Sequence, residues 1–133
     1  MWLLKTEAGE YSYEDLERTG RARWDGVTNP VALRNLRSMK EGDRVLVYHT
    51  GGEKRVMGEA EVVRAAYPDP AAGDARRVVV DIEPRGLLSR PVPLAELKAR
   101  AEFAESPLLR QGRLSVVPLT AAQWNAIAKL AGR

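Results

Sequence analysis

Three valine-rich segments lie in close succession in the middle of this chain, and they restrict its possible folds more than any other feature. They are residues 43–50, 55–65 and 76–84. Each alternates partly between apolar and polar residues, which is typical of β-strands. Gly51-Gly52 predicts a hairpin between the first two segments. Two prolines at positions 68 and 70 predict a loop from Tyr67 to Asp74, because proline cannot donate to a sheet.

Four helices are predicted by the residues that begin and end them. Ser12-Tyr13-Glu14-Asp15 has the spacing of a capping box, and Gly20 follows as a stop signal. Asn29-Pro30 supplies an N-cap and a first-turn proline for a second helix, which we expect to end at Gly42. The remaining two helices are expected at residues 94–99 and 120–130.

Shorter strands complete the predicted fold at residues 2–6 and 113–117, with an edge strand bounded by Pro91 and Pro93. Short strands broken by turns, with helices between them, favour an α+β or barrel architecture over a doubly wound sheet. The mouths of small barrels commonly hold ligands. At 133 residues the chain falls within the size range of one domain.

Composition excludes several kinds of site. The chain has no cysteine and one histidine, so we expect no disulfide, no thiolate nucleophile and no His-rich metal centre. We expect no cofactor. The first residues lack a basic region followed by a long apolar run, and no segment is long and apolar enough to span a membrane. The expectation is a soluble, cytoplasmic protein that does not bind membranes.

The basic residues are mostly arginine, with 16 Arg against 5 Lys and a net charge of +3. Arginine binds phosphate bidentately and stacks on planar groups, which suits nucleic acid. A GC-rich genome or a thermophilic origin would produce the same bias. The small net charge indicates modest affinity for a nucleic-acid partner.

Two aromatic residues stand where chain elements are expected to end. Trp24 precedes the turn dipeptide Asp25-Gly26, and Tyr48-His49-Thr50 ends the strand at residues 43–50. Two aromatic faces with a few polar groups could hold a flat ring and contact its edge. Ordinary core or rim positions would explain both residues equally well.

The chain resembles the EVE-domain family over nearly its whole length. The resemblance is carried by the segments MWLLKTE, YSYEDL, WDGVTNPVALRNLRSMKEGDRVLVYHT, GEAEVV, AYPDP, RPVPLAELK and LLRQGRLSVVPLTAAQWNAI. It implies a single domain over residues 1–133 with a PUA-like mixed β-barrel and flanking short helices, related to YTH domains. It also implies a pocket that binds a modified base in nucleic acid.

The predicted pocket lies between Trp24 and Tyr48. We expect Trp24 to line a cavity and not to fill the core, and His49 to shape the rim. Trp2 and Trp124 are predicted to be structural residues instead.

Polar candidates complete the predicted pocket. Asn29 is expected to cap the second helix, and its place in the family's WDGV-x-N motif also implies a role at the pocket mouth. Ser115 carries a hydroxyl suited to contacting a base edge. Lys5 could reach the pocket floor, or merely pair with Glu7 or Glu10.

Phosphate contacts are assigned to arginines near the expected pocket. Arg34 and Arg37 are three residues apart on the second helix, where a solvated helix face is the plain alternative. Arg113 and Arg110 would extend the positive rim.

The leading interpretation is a monomeric, non-enzymatic protein that binds single-stranded or flipped-out modified bases in RNA or DNA. The alternative is a metal-independent hydrolase of RNA or modified nucleosides. Its residue types are supplied by Lys5, Glu7, Thr50 and Ser115. A protein-interaction module is a third possibility.

Overall fold

Six β-strands and five α-helices make up the fold in a computed structural model that describes residues 1–132. The strands are β1 (Trp2–Thr6), β2 (Ala22–Trp24), β3 (Arg44–His49), β4 (Arg55–Pro68), β5 (Val78–Pro93) and β6 (Val116–Pro118). The helices are α1 (Tyr13–Thr19), α2 (Pro30–Ser38), α3 (Leu94–Lys98), α4 (Pro107–Arg110) and α5 (Ala121–Leu130), with a 3₁₀ turn at Ala101–Phe103.

The strands form one mixed sheet in the order β2-β5-β4-β3-β1-β6. The β1–β3 pair is parallel and the other pairs are antiparallel. The long β4–β5 pair is irregular at four points along its register. Bulges bend strands and increase their twist, so the sheet curls into a half-barrel. This confirms the predicted α+β architecture.

The helix caps confirm the sequence reasoning at three positions. Ser12 accepts from the backbone N–H of Asp15, and the Asp15 carboxylate accepts from Ser12 in return. Thr120 and Gln123 form the same reciprocal pair at the start of α5. The Asn29 side chain caps α2 by accepting from the first-turn amides.

Helix α2 ends four residues earlier than predicted. Ser38 is its last residue, and Met39 already has extended backbone angles. Gly42 lies in the turn that follows, with a φ of 91°. A positive φ is a turn conformation that glycine adopts readily, so the glycine marks the turn and not the helix end.

Strands β4 and β5 are longer than predicted. Tyr67 and Pro68 still pair with β5, so the connecting loop begins at Asp69. The edge strand expected at residues 91–93 is the end of β5. Strand β2 covers β5 only at residues 80–82, so the rest of β5 has one neighbour. Prolines are tolerated on such an edge because no second strand needs their N–H.

Tyr13 fastens α1 to the inside of the curled sheet. Its backbone N–H donates to His49 Nε2 at 3.0 Å, and its hydroxyl donates to the Glu59 carbonyl at 2.5 Å. The hydroxyl also accepts from the Gly86 N–H at 3.0 Å. A Cβ placed on Gly58 would lie 2.5 Å from the ring. Tyr13 therefore joins α1 to three strands and fixes the segment that precedes it.

Several short elements of the fold have no signal in the sequence that predicts them. Strand β2, helix α4 and the 3₁₀ turn were not predicted, and β6 begins three residues later than expected. None of the helices within residues 1–132 has the length and apolarity needed to cross a membrane.

Candidate functional site

A cavity of about 650 Å³ opens beside the end of β1. One wall comes from β1 and the loop that follows it, through Lys5, Thr6 and Tyr11. Strand β2 and the turn after it also line the cavity, through Trp24 and Asp25, and Ser115 completes the lining. The volume lies within the range of about 300–1,000 Å³ that is typical of small-molecule sites.

Two aromatic rings form a corner of this cavity. The Tyr11 and Trp24 centroids are 6.2 Å apart, and their planes meet at 76° in an edge-to-face arrangement. The Tyr11 hydroxyl lies 3.0 Å from Thr19 Oγ1, and its carbonyl accepts from Thr6 Oγ1 at 2.7 Å. Tyr11 is thus held at both ends.

Trp24 is the last residue of β2, as its position before Asp25-Gly26 indicated. Its side chain is 7% exposed and belongs to the hydrophobic core as well as to the cavity wall. The expectation that it would not fill the core is wrong. The physical reason is that β2 pairs with β5, with Trp24 opposite Val80, so the residue belongs to the sheet and its side chain joins the core.

Lys5 and Ser115 bring polar groups to the cavity floor. The Lys5 backbone N–H donates to the Ser115 carbonyl at 2.9 Å, which holds the two segments together. Lys5 Nζ donates to the Gly112 carbonyl at 2.9 Å. Burial lowers the pKa of the Lys5 ammonium from its ordinary value. Lys5 makes no salt bridge with Glu7 or Glu10.

Arg21 stands at the cavity wall because a buried carboxylate holds it. Its guanidinium donates to Asp81 Oδ2 at 2.9 Å, and the Tyr67 hydroxyl donates to Asp81 Oδ1. Burial acts to raise the pKa of Asp81, but the hydrogen bonds from Tyr67 and Arg21 outweigh it and the pKa is lowered. The carboxylate therefore stays charged and keeps Arg21 in place.

Charges of both signs line the larger cavity. They are Lys5, Arg21 and Arg23 against Glu7, Glu10 and Asp25. Three positive side chains thus face three negative ones, so the cavity is not a dedicated anion site. Within residues 1–132, no three histidine or carboxylate side chains come together in a way that could bind a metal ion.

A second, smaller cavity of about 250 Å³ lies on the other side of Lys5. Tyr48 lines this cavity and is absent from the wall of the larger one. Trp24 and Tyr48 therefore do not enclose one pocket, and Tyr11 is the aromatic partner of Trp24. The Lys5 ammonium lies 5.8 Å from the Tyr48 ring centroid, between the two cavities.

The model of the EVE-domain family matches residues 1–130. The chain belongs to the EVE-domain family. A protein from Agrobacterium tumefaciens has a closely similar crystal structure, with a TM-score of 0.95 and 34% identity over 98% of this chain and 92% of that one. These matches confirm the PUA-like half-barrel.

Two comparisons involve a human relative of this EVE domain. Thymocyte nuclear protein 1 of Homo sapiens is 28% identical over 97% of this chain and 72% of the human protein. A crystal structure of human THYN1 in complex with DNA containing 5-methylcytosine superposes with a TM-score of 0.89. The identity there is 28%, covering 99% of this chain and 97% of that one.

His49 does not line either cavity of the EVE domain, contrary to its predicted place at the rim. Nε2 accepts from the Tyr13 N–H, so the ring proton is on Nδ1, which lies 3.2 Å from Glu53 Oε1. This hydrogen bond lowers the pKa of Glu53. Both ring nitrogens are thus used, Nε2 by the first residue of α1 and Nδ1 by Glu53 in the β3–β4 turn.

Asn29 likewise serves the helix and not the cavity. Its Oδ1 accepts from Val31 at 2.9 Å and Ala32 at 3.1 Å, and the residue lines neither cavity. Trp2 and Trp124 also lie outside both cavities. Trp2 Nε1 donates to Asp43 Oδ2 at 3.0 Å, and Trp124 is a buried core residue.

The predicted phosphate-contacting arginines are exposed and lie outside the cavities. Arg34 has no side-chain hydrogen bond to residues 1–132. Arg37 donates to the Arg76 carbonyl at 2.5 Å and so ties α2 to the β4–β5 loop. Arg110 is paired with Glu105 at 2.9 Å. Contacts of Arg34, Arg37 and Arg113 with phosphate stay a prediction.

Several cavity residues were not predicted from the sequence, among them Tyr11, Arg21 and Arg23. Tyr11 directly precedes the capping box at Ser12, and this position is the sequence feature that could have identified it as a cavity residue. A residue just before a helix that is docked into a sheet is fixed in space. Arg21 and Arg23 carry no comparable signal, because strand β2 was itself not predicted.

Proposed function

We propose that this EVE domain is a nucleic-acid-binding reader that accommodates one modified base in the larger cavity. The observation that carries the proposal is that the aromatic corner of Trp24 and Tyr11 lines the same cavity as the polar groups of Lys5 and Ser115. The human relative supports it, because THYN1 was crystallised with DNA that contains 5-methylcytosine.

The aromatic corner supplies affinity. Stacking a base on an aromatic side chain contributes roughly 1–3 kcal/mol. Because Tyr11 meets Trp24 edge to face, the base would lie against one ring and touch the edge of the other. The two rings limit the orientation of a flat ligand more than a single stacking surface would.

The polar floor supplies discrimination. A buried methyl group adds about 0.8 kcal/mol of apolar burial, close to a fourfold preference. Stronger selectivity requires polar groups that a wrong base leaves unpaired. The Ser115 hydroxyl both donates and accepts, and the Lys5 ammonium has donors beyond the one given to Gly112.

Exposed arginines contribute to strand affinity in a way that does not depend on base sequence. Phosphate contacts position a strand without specifying its bases. Arg23 at the cavity edge and Arg34 on α2 are exposed and suited to this role. Extruding a base costs a few kcal/mol from a duplex and little from a single strand, so single strands are the favoured ligand.

A hydrolase remains the second candidate because Lys5, Glu7 and Ser115 all line the larger cavity. One contact and one position oppose it. Glu7 Oε1 accepts from the Gly9 N–H at 3.1 Å, and Thr50 lines the other cavity. The reader assignment predicts that modified RNA and DNA strands are recovered intact after incubation with the protein.

Competition titrations with matched oligonucleotides test the proposal. We expect a strand with 5-methylcytosine or another small alkylated base to bind more tightly than its unmodified counterpart. Ser115→Ala should reduce this preference, whereas Ser89→Ala on the exposed part of β5 should leave it unchanged. Equal affinities for modified and unmodified strands across RNA and DNA would contradict the proposal, and strand cleavage would favour the hydrolase.

A further inference from the structure

The smaller cavity differs in charge from the larger one. Two lysines, Lys5 and Lys54, line it together with the hydroxyl residue Thr50, and it has no acidic residue among the residues that line it. The larger cavity balances three basic side chains with three acidic ones. An anionic group is therefore favoured in the smaller cavity.

Lys5 lines both cavities and connects them. Its Nζ uses one N–H for the Gly112 carbonyl, and an ammonium has three. Two donors remain for a ligand that reaches from one cavity to the other. Lys5 is half-buried, so an anion beside it would be poorly screened by water.

We propose that the smaller cavity holds the nucleotide next to the modified one, with the phosphate that links the two nucleotides at Lys5. This inference rests on the proposed function, because it takes the larger cavity to hold the modified base. The occupant is one neighbouring nucleotide of the same strand.

The shape and surface of the smaller cavity fit a single planar ring with a phosphate at its edge. Leu94, Leu108 and the Tyr48 ring supply apolar surface, and the volume is about 250 Å³. Gly112 has no side chain at the cavity wall and open space where a Cβ would lie, so the strand can approach its backbone closely. The corresponding space at Gly51 is taken by the Glu7 carboxylate, so we place the phosphate at Lys5 and not at Gly51.

Lys54 is placed by the backbone around it. Its φ of 47° is uncommon for a residue with a side chain, and its carbonyl accepts from the Leu94 N–H at 2.8 Å. This hydrogen bond ties the β3–β4 hairpin to the start of α3. The second lysine therefore belongs to a fixed segment and lines the same cavity as Lys5.

A variant that fills the smaller cavity tests the inference. Gly112 lines that cavity, a Cβ added there meets no atom within 4 Å, and its φ is not positive. Gly112→Leu should therefore fold and occlude the site, and Gly112→Ala is the matched control. Unfolding midpoints check that both variants fold.

The probes are short single strands with a central 5-methylcytosine or cytosine and an abasic residue on the 5′ or the 3′ side. For the wild-type protein, we expect the abasic residue to weaken binding on one side only, by about fivefold or more. Gly112→Leu should remove this difference between sides, whereas Gly112→Ala should retain it. Lys54→Gln should lower the slope of log affinity against log salt by about 0.7.

The outcomes separate this inference from the proposed function. A preference for 5-methylcytosine without any one-sided loss would overturn the inference and leave the reader assignment intact. A one-sided loss that persists in Gly112→Leu would also overturn it. A one-sided loss without preference for 5-methylcytosine would support the second site and contradict recognition of that base. Failure to bind any strand would overturn both.

Discussion

At the scale of single residues, Trp24 combines two roles that the sequence could not separate. It lines the larger cavity and is 7% exposed, so the same indole contacts the core and the space for a ligand. Its position before Asp25-Gly26 correctly placed it at a strand end. The extent of its burial depends on the pairing of β2 with β5, which no local pattern indicated.

Trp24→Ala is expected to destabilise the protein by about 3–5 kcal/mol, the usual cost of removing a buried tryptophan side chain. Trp24→Phe should cost less and keep an aromatic wall. Denaturant unfolding of the two variants measures the difference. An unchanged free energy of unfolding in Trp24→Ala would show that the indole is not part of the core.

The proposed phosphate contact of Lys5 predicts that binding of a single strand weakens at alkaline pH. Because burial lowers the pKa of Lys5 below its usual 10.5, the ammonium loses its proton at a lower pH than a solvated lysine does. Affinity for a single strand should fall as pH rises through this lowered pKa. The Lys5→Arg variant stays charged, so its affinity for a single strand should change less with pH.

The pH dependence of stability distinguishes this effect from unfolding. With a lowered folded-state pKa, the unfolded chain binds the Lys5 proton more tightly, so the contribution of Lys5 to stability rises with pH. When deprotonation of Lys5 weakens strand binding, its effect on stability should therefore not unfold the protein over the same pH range. The same dependence of affinity on pH in the wild type and in Lys5→Arg would contradict the phosphate contact proposed for Lys5.

At the scale of elements, local signals predicted the caps and failed where strands extend through irregular pairing. Ser12, Asn29 and Thr120 were identified because capping depends on neighbouring residues. The length of β5 was not predicted, because prolines normally end strands. They are tolerated here since β2 covers only a short part of β5.

The packing of α1 onto the sheet gives a prediction about Gly58. A methyl group there would lie 2.5–2.7 Å from atoms of the Tyr13 ring, and the Tyr13 hydroxyl is held by hydrogen bonds with Glu59 in β4 and Gly86 in β5. Gly58→Ala should lose about 1–3 kcal/mol of stability through overpacking. Gly52→Ala is the matched control, because a Cβ there meets nothing within 4 Å. Equal unfolding midpoints for the two variants would show that α1 shifts freely.

The exposed face of α2 gives a prediction about how strand affinity depends on salt concentration. Arg34→Ala should weaken binding of modified and unmodified single strands equally and lower the salt slope by about 0.7. Arg100→Ala is the control, because Arg100 pairs with Glu102 and lines neither cavity. Affinities measured over a range of salt concentrations test this. A changed base preference with an unchanged slope would contradict a phosphate contact.

At the scale of the whole molecule, the curled sheet creates a site that sequence order conceals. The cavity gathers the end of β1, the loop before α1, strand β2 and Ser115, which lie far apart along the chain. Trp24, Lys5 and Ser115, which the sequence assigned to a pocket, all line this cavity, and their contact with a base stays a prediction. Family resemblance could not pair Trp24 with Tyr11, because that contact depends on how α1 is docked. The same folding separates Trp24 from Tyr48.

The three tryptophans allow the central claim to be tested directly by NMR. Each indole N–H gives one signal, and only Trp24 lines the larger cavity, whereas Trp2 and Trp124 lie outside both cavities. Titration with a single strand that carries 5-methylcytosine should shift the Trp24 signal in a saturable way. The Trp2 and Trp124 signals should stay in place, and the unmodified strand should cause a smaller shift at the same concentration. An unmoved Trp24 signal in the presence of bound strand would contradict the account.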